Sequence, residues 1–282
     1  MSSTACLLCG SLQIRSLWDK MPSAIRTVVC SSCGLVFQPD PGDVAAIYGD
    51  QYHAHWSEPG VTDAKRATYR YILGKIPWPK TKKPRILDVG CALGDSLEAI
   101  ERMGGEAWGL EYAGALQERL KARWGSHVII GDFLDVPIAP SSFYAIGMVD
   151  VIEHFTAPVD ILRRCWELLE PGGWLFLATP DYGSISRMIL GKHWEQFKPE
   201  HISYFRFNNL SAALQRLGFH VHHGGNFRKK LHVGYLLTTL SNHSPWIVPG
   251  AIVRWVKPWT WLWNLQVWLP TDGFILLAQK PS

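Results

Sequence analysis

Two cysteine pairs open the chain: Cys6-x2-Cys9-Gly10 and, after twenty intervening residues, Cys30-x2-Cys33-Gly34. Each C-x-x-C turn aims two thiolates at one point, and the glycine behind it frees the tight backbone turn beneath them. Two such knuckles at this separation form the pattern of a zinc ribbon, with Cys6, Cys9, Cys30 and Cys33 as the ligands. Four cysteines fill a tetrahedral site and leave no open position, so the metal they imply is structural rather than catalytic. A segment this short cannot bury a core of its own, and metal binding supplies its folding energy.

A second group of residues suits a small ligand. Ile86-Leu87-Asp88-Val89-Gly90-Cys91-Ala92-Leu93-Gly94-Asp95 reads as a strand, a glycine-bearing turn and a helix start. Gly90 and Gly94 let backbone approach a ligand whose charge faces helix amides. The spacing G-x-A-x-G differs from the G-x-G-x-x-G that wraps a pyrophosphate. Glu111 follows Gly90 by twenty-one residues, at the end of the next strand, where a carboxylate accepts hydrogen bonds from a ribose diol. Asp132 and Phe133 follow the third strand and suit an adenine, one taking its amino group and the other stacking on its face. Cys91, Tyr112 and Asp150, next to these positions in the chain, join the same cofactor-facing set. An acid-lined crevice at strand ends fits a cofactor without phosphates, which points to S-adenosyl-L-methionine.

The elements that must position these groups follow from the pattern of the remaining chain. With 282 residues, 47% of them apolar and 18% charged, the chain is one large domain or one domain with a small appendage. The net charge of +4 and the absence of any Lys/Arg run longer than three argue against a nucleic-acid partner. Residues 1–45 form the ribbon, and 46–83 an aromatic and helical linker with a helix over 62–76. Tyr48, Tyr52, His53, His55 and Trp56 in that linker suit a lid over the cofactor or packing between ribbon and core. From residue 84 on, strand and helix patterns alternate, which predicts an α/β fold with a parallel sheet. Strands are expected at 85–89, 107–111, 127–130, 144–150, 174–179, 219–223 and 274–280. Helices are expected at 95–102, 115–124, 159–169 (closed by Pro171-Gly172-Gly173) and 210–217. Residues 225–272 then form an insertion before the last strand of an 84–282 domain.

Residues 84–180 resemble the core of a class I S-adenosylmethionine-dependent methyltransferase. Val149-Asp150-Val151-Ile152-Glu153-His154-Phe155, Leu169-Glu170-Pro171-Gly172-Gly173, Ala178-Thr179-Pro180-Asp181 and Pro199-Glu200-His201-Ile202-Ser203-Tyr204-Phe205 resemble the subgroup of ubiquinone-biosynthesis O-methyltransferases and sugar and natural-product enzymes. The resemblance implies a Rossmann-like sheet of seven strands whose last strand runs antiparallel. It also implies that Asp88, Gly90 and Gly94 cradle the methionine end of the cofactor, Glu111 the ribose, and Asp132 with Phe133 the adenine. Two departures stand out: Ala92 replaces the middle glycine, and Tyr144 occupies a usual aspartate position.

A sulfonium is already activated, so the protein's task is to align the acceptor and exclude water, with a base where the acceptor must lose a proton. His154 and His201 are the candidate bases, since imidazole titrates near working pH, with Glu153 beside them as a third catalytic candidate. Asp150, Glu153 and His154 fall at i, i+3 and i+4, so one helical turn would face all three toward a divalent metal. In the resembling O-methyltransferases this pattern is implicated in metal binding; the alternative is a helix cap at the pocket rim. His220, His222 and His223 are expected as exposed strand residues, and 181–197 as a substrate flap or as packing.

Six of the fourteen tryptophans lie in the last forty residues, and 246–268 reads either as a pocket wall or dimer surface or as a helix in a membrane interface. No run is apolar and long enough to span a bilayer, and residues 1–6 carry no leader pattern. The expected setting is cytoplasmic, with peripheral contact at the inner membrane face, and Cys91 and Cys165 as free thiols. The favoured function is methyl transfer to an oxygen or carbon of a small molecule, glycan or lipid-linked precursor. The alternatives are an RNA methyltransferase whose ribbon grips RNA, and a non-catalytic adapter with the same fold. The oligomeric state is not encoded in these patterns.

Overall fold

The computed structural model describes residues 4–18, 25–42, 59–80, 82–112, 114–243 and 248–282. The lid residues Tyr48, Tyr52, His53, His55 and Trp56 lie outside them. The N-terminal part contributes β1 (Ile14–Ser16), β2 (Val28–Cys30) and β3 (Val36–Phe37), followed by helix α1 (Pro59–Leu73). Strands β4 (Arg85–Val89), β5 (Glu106–Glu111) and β6 (Val128–Ile130) alternate with α2 (Asp95–Arg102) and α3 (Gln117–Trp124). Next come β7 (Phe143–Val149), α4 (Pro158–Leu168), β8 (Leu169–Pro180), α5 (Ile185–Leu190), β9 (Ser203–Tyr204) and α6 (Phe207–Arg216). The chain closes with β10 (His220–His232), α7 (Val233–His243), α8 (Gly250–Val256), α9 (Thr260–Trp263) and β11 (Gln266–Gln279).

The main sheet has the order β10-β11-β8-β7-β4-β5-β6. Strands β8, β7, β4, β5 and β6 pair in parallel, and β11 runs antiparallel to both of its neighbours. This is the seven-stranded Rossmann-like arrangement expected from the sequence. Central strands covered on both faces read as near-continuous apolar runs, and Ile86, Leu87 and Val89 of β4 are fully buried. Strand order reverses between β4 and β7, and the crevice beyond the carboxyl ends at such a switch point is where open α/β sheets bind ligands.

Several boundaries move, each for a physical reason. Pro171, Gly172 and Gly173 lie within β8 rather than in a turn, because the strand starts at Leu169 and pairs again from Trp174. Both ends of the expected insertion 225–272 are strand: β10 and β11 run on as a long antiparallel hairpin, paired from His220↔Gln279 to His232↔Gln266. Among the described residues, α7, α8 and α9 lie between its two strands. A register shift between Asn226 and Arg228 interrupts the alternation there, which hid the strand in the sequence. His220, His222 and His223 are exposed on it. Tyr144 sends its hydroxyl to the Pro77 carbonyl at 2.5 Å, tying the linker after α1 to β7.

The ribbon does not stand apart. Its sheet runs β1-β2-β3-β9, so the fourth strand comes from residues 203–204 of the larger body. Leu8, Leu35 and Phe37 are buried in the same apolar cluster as Leu87, Met148 and Leu177 of the main sheet. Burying such side chains contributes roughly 1.5–3 kcal/mol each. The segment 181–197 serves this packing, because Tyr182, Trp194 and Phe197 form a buried aromatic cluster with Val29, Val36 and Tyr204.

Candidate active site

A cavity of about 660 Å³ opens outside the carboxyl ends of β4, β5, β6 and β7. The β4 turn forms one wall. Gly90 has φ of 75°, and a Cβ built on it would lie 2.7 Å from the Val151 methyl that follows β7. Only glycine satisfies both demands. The Gly90 and Cys91 amides both donate to the Leu110 carbonyl, at 2.8 and 3.1 Å, which pins the turn to β5. Ala92 takes a left-handed φ of 47°, and its N–H donates to Glu111 Oε2 at 2.8 Å. The departure from glycine at Ala92 therefore carries local backbone strain of about 1 kcal/mol, offset in part by a charge-assisted hydrogen bond.

Gly90, Cys91, Glu111, Tyr112, Asp132 and Phe133 all line this cavity. Phe133 is a core side chain that reaches the wall, whereas Tyr112 and Asp132 are exposed at the rim. Asp132 Oδ1 accepts the Leu134 amide at 2.9 Å. Asp88 and Gly94, expected to cradle the cofactor, sit behind the wall instead. Gly94 faces the Trp124 ring, which a Cβ would meet at 2.5 Å. Asp88 is 1% exposed; Ser96 Oγ donates to its Oδ2, and its Oδ1 is buried without a partner. Burial drives the Asp88 carboxyl up to about 7, with Glu111 adding to the rise and Ser96 opposing it.

The segment after β7 and the 196–202 loop carry the candidate catalytic groups. Asp150 has a left-handed φ of 54°, and Lys229 of β10 meets its Oδ2 at 2.5 Å. Burial works against the Lys229 ammonium, and Asp150 more than offsets it, holding its pKa above the ordinary value. The expected metal trio Asp150, Glu153 and His154 therefore does not assemble, because a lysine occupies Asp150. The residues whose ligand atoms come within 4.8 Å of one another are Glu153, His154 and His201.

Glu153 is 1% exposed; Thr179 Oγ1 donates to its Oε2 at 2.9 Å, and its Oε1 is buried without a hydrogen bond. Burial, and then the Asp150 charge, raise its pKa to about 8, so at neutral pH it largely keeps its proton. His154 Nδ1 lies 2.8 Å from the Glu200 carbonyl, and His201 Nδ1 lies 2.9 Å from the Gln196 carbonyl. A carbonyl only accepts, so both protons sit on Nδ1 and both Nε2 atoms carry the lone pair. The rings meet edge to face with centroids 4.9 Å apart. Burial depresses the pKa of His154; burial together with the His154 charge takes His201 well below the usual imidazole value. Two neutral imidazoles thus stand beside a protonated carboxyl.

The loop that carries His201 is held by the ribbon. Gln38 Nε2 lies 3.2, 3.0 and 2.9 Å from the carbonyls of Lys198, Pro199 and His201. The Ile202 amide donates to the Glu153 carbonyl at 2.9 Å, closing the loop onto the turn after β7. Further lining residues had no sequence signal of their own. Lys65, Thr68 and Tyr69 come from α1, and Lys229, Lys230, His232 and Tyr235 from β10 and α7. The Lys229-Lys230 doublet was visible in the sequence, but not that a hairpin would carry it to the cavity.

The raised pKa of Asp88 makes a stability prediction with a definite sign. A carboxyl raised from 3.8 to about 7 binds its proton more tightly in the folded state. Its contribution therefore costs stability progressively as pH rises from about 4 through 7, up to about 4 kcal/mol. Asp88→Asn carries no such charge. Its melting temperature relative to wild type, without ligand, should rise by several degrees between pH 5 and pH 8; parallel profiles would contradict a proton-holding Asp88.

A family model described as a methyltransferase domain matches residues 63–223, more than half of the chain, from within α1 to the start of β10. A ubiquinone biosynthesis O-methyltransferase from Xanthomonas campestris is 30% identical over 115 residues, which cover 39% of this chain and 47% of that protein. One of the same description from Xylella fastidiosa is 28% identical over 168 residues, 54% of this chain and 65% of the other. The chain thus spans about half the length of the first of these relatives. Among solved structures, a methyltransferase from Archaeoglobus fulgidus superposes with a TM-score of 0.57 at 17% identity, covering 82% of this chain and all of that one. One from Thermotoga maritima gives 0.55 at 15% identity, covering 84% and 98%. Those two likenesses establish the fold, and the match over residues 63–223 establishes that the chain belongs to the methyltransferase domain family.

Proposed function

We propose that this chain transfers a methyl group from S-adenosylmethionine to an oxygen or carbon of a small molecule, with a neutral imidazole, His201 or His154, taking the proton the acceptor loses. The observation that carries this reading is one cavity with two chemically distinct walls. The Gly90–Ala92 turn, Glu111 and Asp132 face one side; two lone-pair-bearing imidazoles and a protonated Glu153 face the other. S-adenosylmethionine supplies an electrophilic methyl on a sulfonium. Glu111, oriented by the Ala92 amide, suits a ribose diol, and the Cys91 and Gly90 backbone leaves room for the methionine chain. On the acceptor side, the imidazole that accepts the proton at Nε2 is steadied through its Nδ1–H by a backbone carbonyl. The acceptor atom gains the methyl as the carbon–sulfur bond breaks, the sulfur keeping the bonding electrons as a neutral thioether.

The test is incubation of the pure protein with methyl-labelled S-adenosylmethionine and an extract of its source cells, followed by fractionation. Label should enter a small aqueous or an organic-soluble fraction. His201→Ala or His154→Ala should lower transfer by about 100-fold or more, the usual weight of a general base. The acid limb of the pH–rate profile should lie below the ordinary histidine range, because the base is active when neutral. Both variants turning over normally would remove the imidazoles from the chemistry, and RNase-sensitive label would make the protein an RNA methyltransferase. Turnover that needs an added divalent ion would assign Glu153, His154 and His201 to a metal.

We also assign a structural zinc to Cys6, Cys9, Cys30 and Cys33. Their sulfur atoms gather within 4.8 Å, with Cys6 Sγ 3.5 Å from Cys33 Sγ and Cys9 Sγ 3.6 Å from Cys30 Sγ. Tetrahedral zinc with bonds of about 2.3 Å sets sulfur atoms about 3.8 Å apart, close to this spacing. Elemental analysis should find one zinc per chain, lost in Cys30→Ser; zinc-free wild-type protein with an intact ribbon would refute the assignment.

A further inference from the structure

The cavity carries more positive charge than the proposed methyl transfer uses. Lys198, Lys229, Lys230 and His232 all line the cavity together with His154 and His201. The acids around it are already committed. Asp150 is paired with Lys229, and Asp95, on the α2 side, is met by Arg66 at 3.5 Å. Glu153 keeps its proton, and Glu111 and Asp132 belong to the cofactor wall. Lys198 and Lys230 are both half-buried, and among the described residues neither enters an ion pair. A half-buried ammonium loses hydration without a carboxylate to offset it, an arrangement that a charged ligand relieves.

His232 adds a donor of fixed sense. It is 7% exposed, and its Nδ1 accepts the Tyr235 amide at 3.1 Å. The ring proton of the neutral form therefore sits on Nε2, the reverse of His154 and His201. One histidine in the cavity offers N–H where the other two offer lone pairs. Two pieces of the fold bring these residues to the cavity. Lys198 comes from the loop gripped by Gln38, and Lys230 and His232 come from β10, whose Lys230 amide donates to Thr68 Oγ1 at 3.0 Å.

Resting on the methyltransferase reading above, we infer that the acceptor carries a phosphate-type anionic group, held by Lys198, Lys230 and the Nε2–H of His232, while the imidazoles of His154 and His201 face the atom to be methylated. Two ammonium groups and one N–H suit a multiply charged anion with several acceptor oxygens. The same chemistry would come from a soluble phosphorylated compound or from the head of a lipid-linked precursor.

The test uses the full-length protein loaded with S-adenosylhomocysteine and titrated calorimetrically with inorganic phosphate, alongside Lys198→Gln/Lys230→Gln. Phosphate should bind the wild type at least tenfold more tightly than the double variant, with affinity for S-adenosylhomocysteine unchanged within twofold. Equal phosphate binding by both proteins, or none by either, would overturn the inference. The labelled product of the extract reaction should be retained by an anion exchanger at neutral pH. An organic-soluble anionic product identifies the lipid-linked source, and an aqueous one the soluble source. A labelled product that passes through uncharged overturns the anionic acceptor but leaves methyl transfer standing. Failure to bind S-adenosylhomocysteine or to transfer any label overturns the methyltransferase reading itself.

Discussion

One side-chain amide of the ribbon grips the loop that carries His201. Gln38, the residue after β3, sits within hydrogen-bonding distance of three loop carbonyls, those of Lys198, Pro199 and His201. Backbone carbonyls in an irregular, buried loop need donors from somewhere, and the ribbon supplies them. The pairing of β3 with β9 then fixes where that loop enters the fold, and the Ile202 amide joins it to Glu153. The ribbon thus helps hold the loop in which His201 meets His154 and Glu153. A four-cysteine ribbon remote in sequence from the crevice becomes part of how the crevice is built.

The electrostatics of the cavity follow from burial more than from pairing. Glu153 and Asp88 are carboxyls deprived of water, and both are driven toward the neutral form. The two imidazoles are driven the same way, toward neutrality, which for them means losing a proton and gaining base character. Lys229 keeps its charge because the Asp150 carboxylate lies 2.5 Å away. The result is a set of lining residues in which the buried carboxyl and the two imidazoles are held toward neutrality and the Asp150 carboxylate is paired with Lys229. On the other wall Glu111 stays close to backbone amides, the arrangement that a polar, phosphate-free cofactor calls for.

Local chemistry made much of this legible in the sequence. The two C-x-x-C-G knuckles, the Gly90–Gly94 turn and the acids at successive strand ends depend on short spacings that the chain states directly. The α/β alternation over 84–180 was clear for the same reason, since each strand and helix carries its own periodicity. The illegible parts depend on residues far apart in sequence. Nothing near Asp150 announces that Lys229, seventy-nine residues later, will take its carboxylate. The expected trio assumed one helical turn, and tertiary pairing replaced Asp150 with His201. The hairpin of β10 and β11 was read as an insertion because a register shift breaks its alternation, and so Lys230, His232 and Tyr235 went unassigned. Asp88 and Gly94 belong to the motif by sequence, but they support the turn from behind rather than face the cavity.

The account stands on the crevice at the β4 and β7 ends being a cofactor site with Glu111 as its ribose-facing acid. Calorimetric titration of the purified protein with S-adenosylmethionine, beside Glu111→Ala, tests this most directly. One molecule should bind per chain, and Glu111→Ala should weaken binding by about tenfold or more, the worth of a lost charge-assisted hydrogen bond pair. Wild-type protein that binds no S-adenosylmethionine, or Glu111→Ala that binds it equally well, would contradict the account.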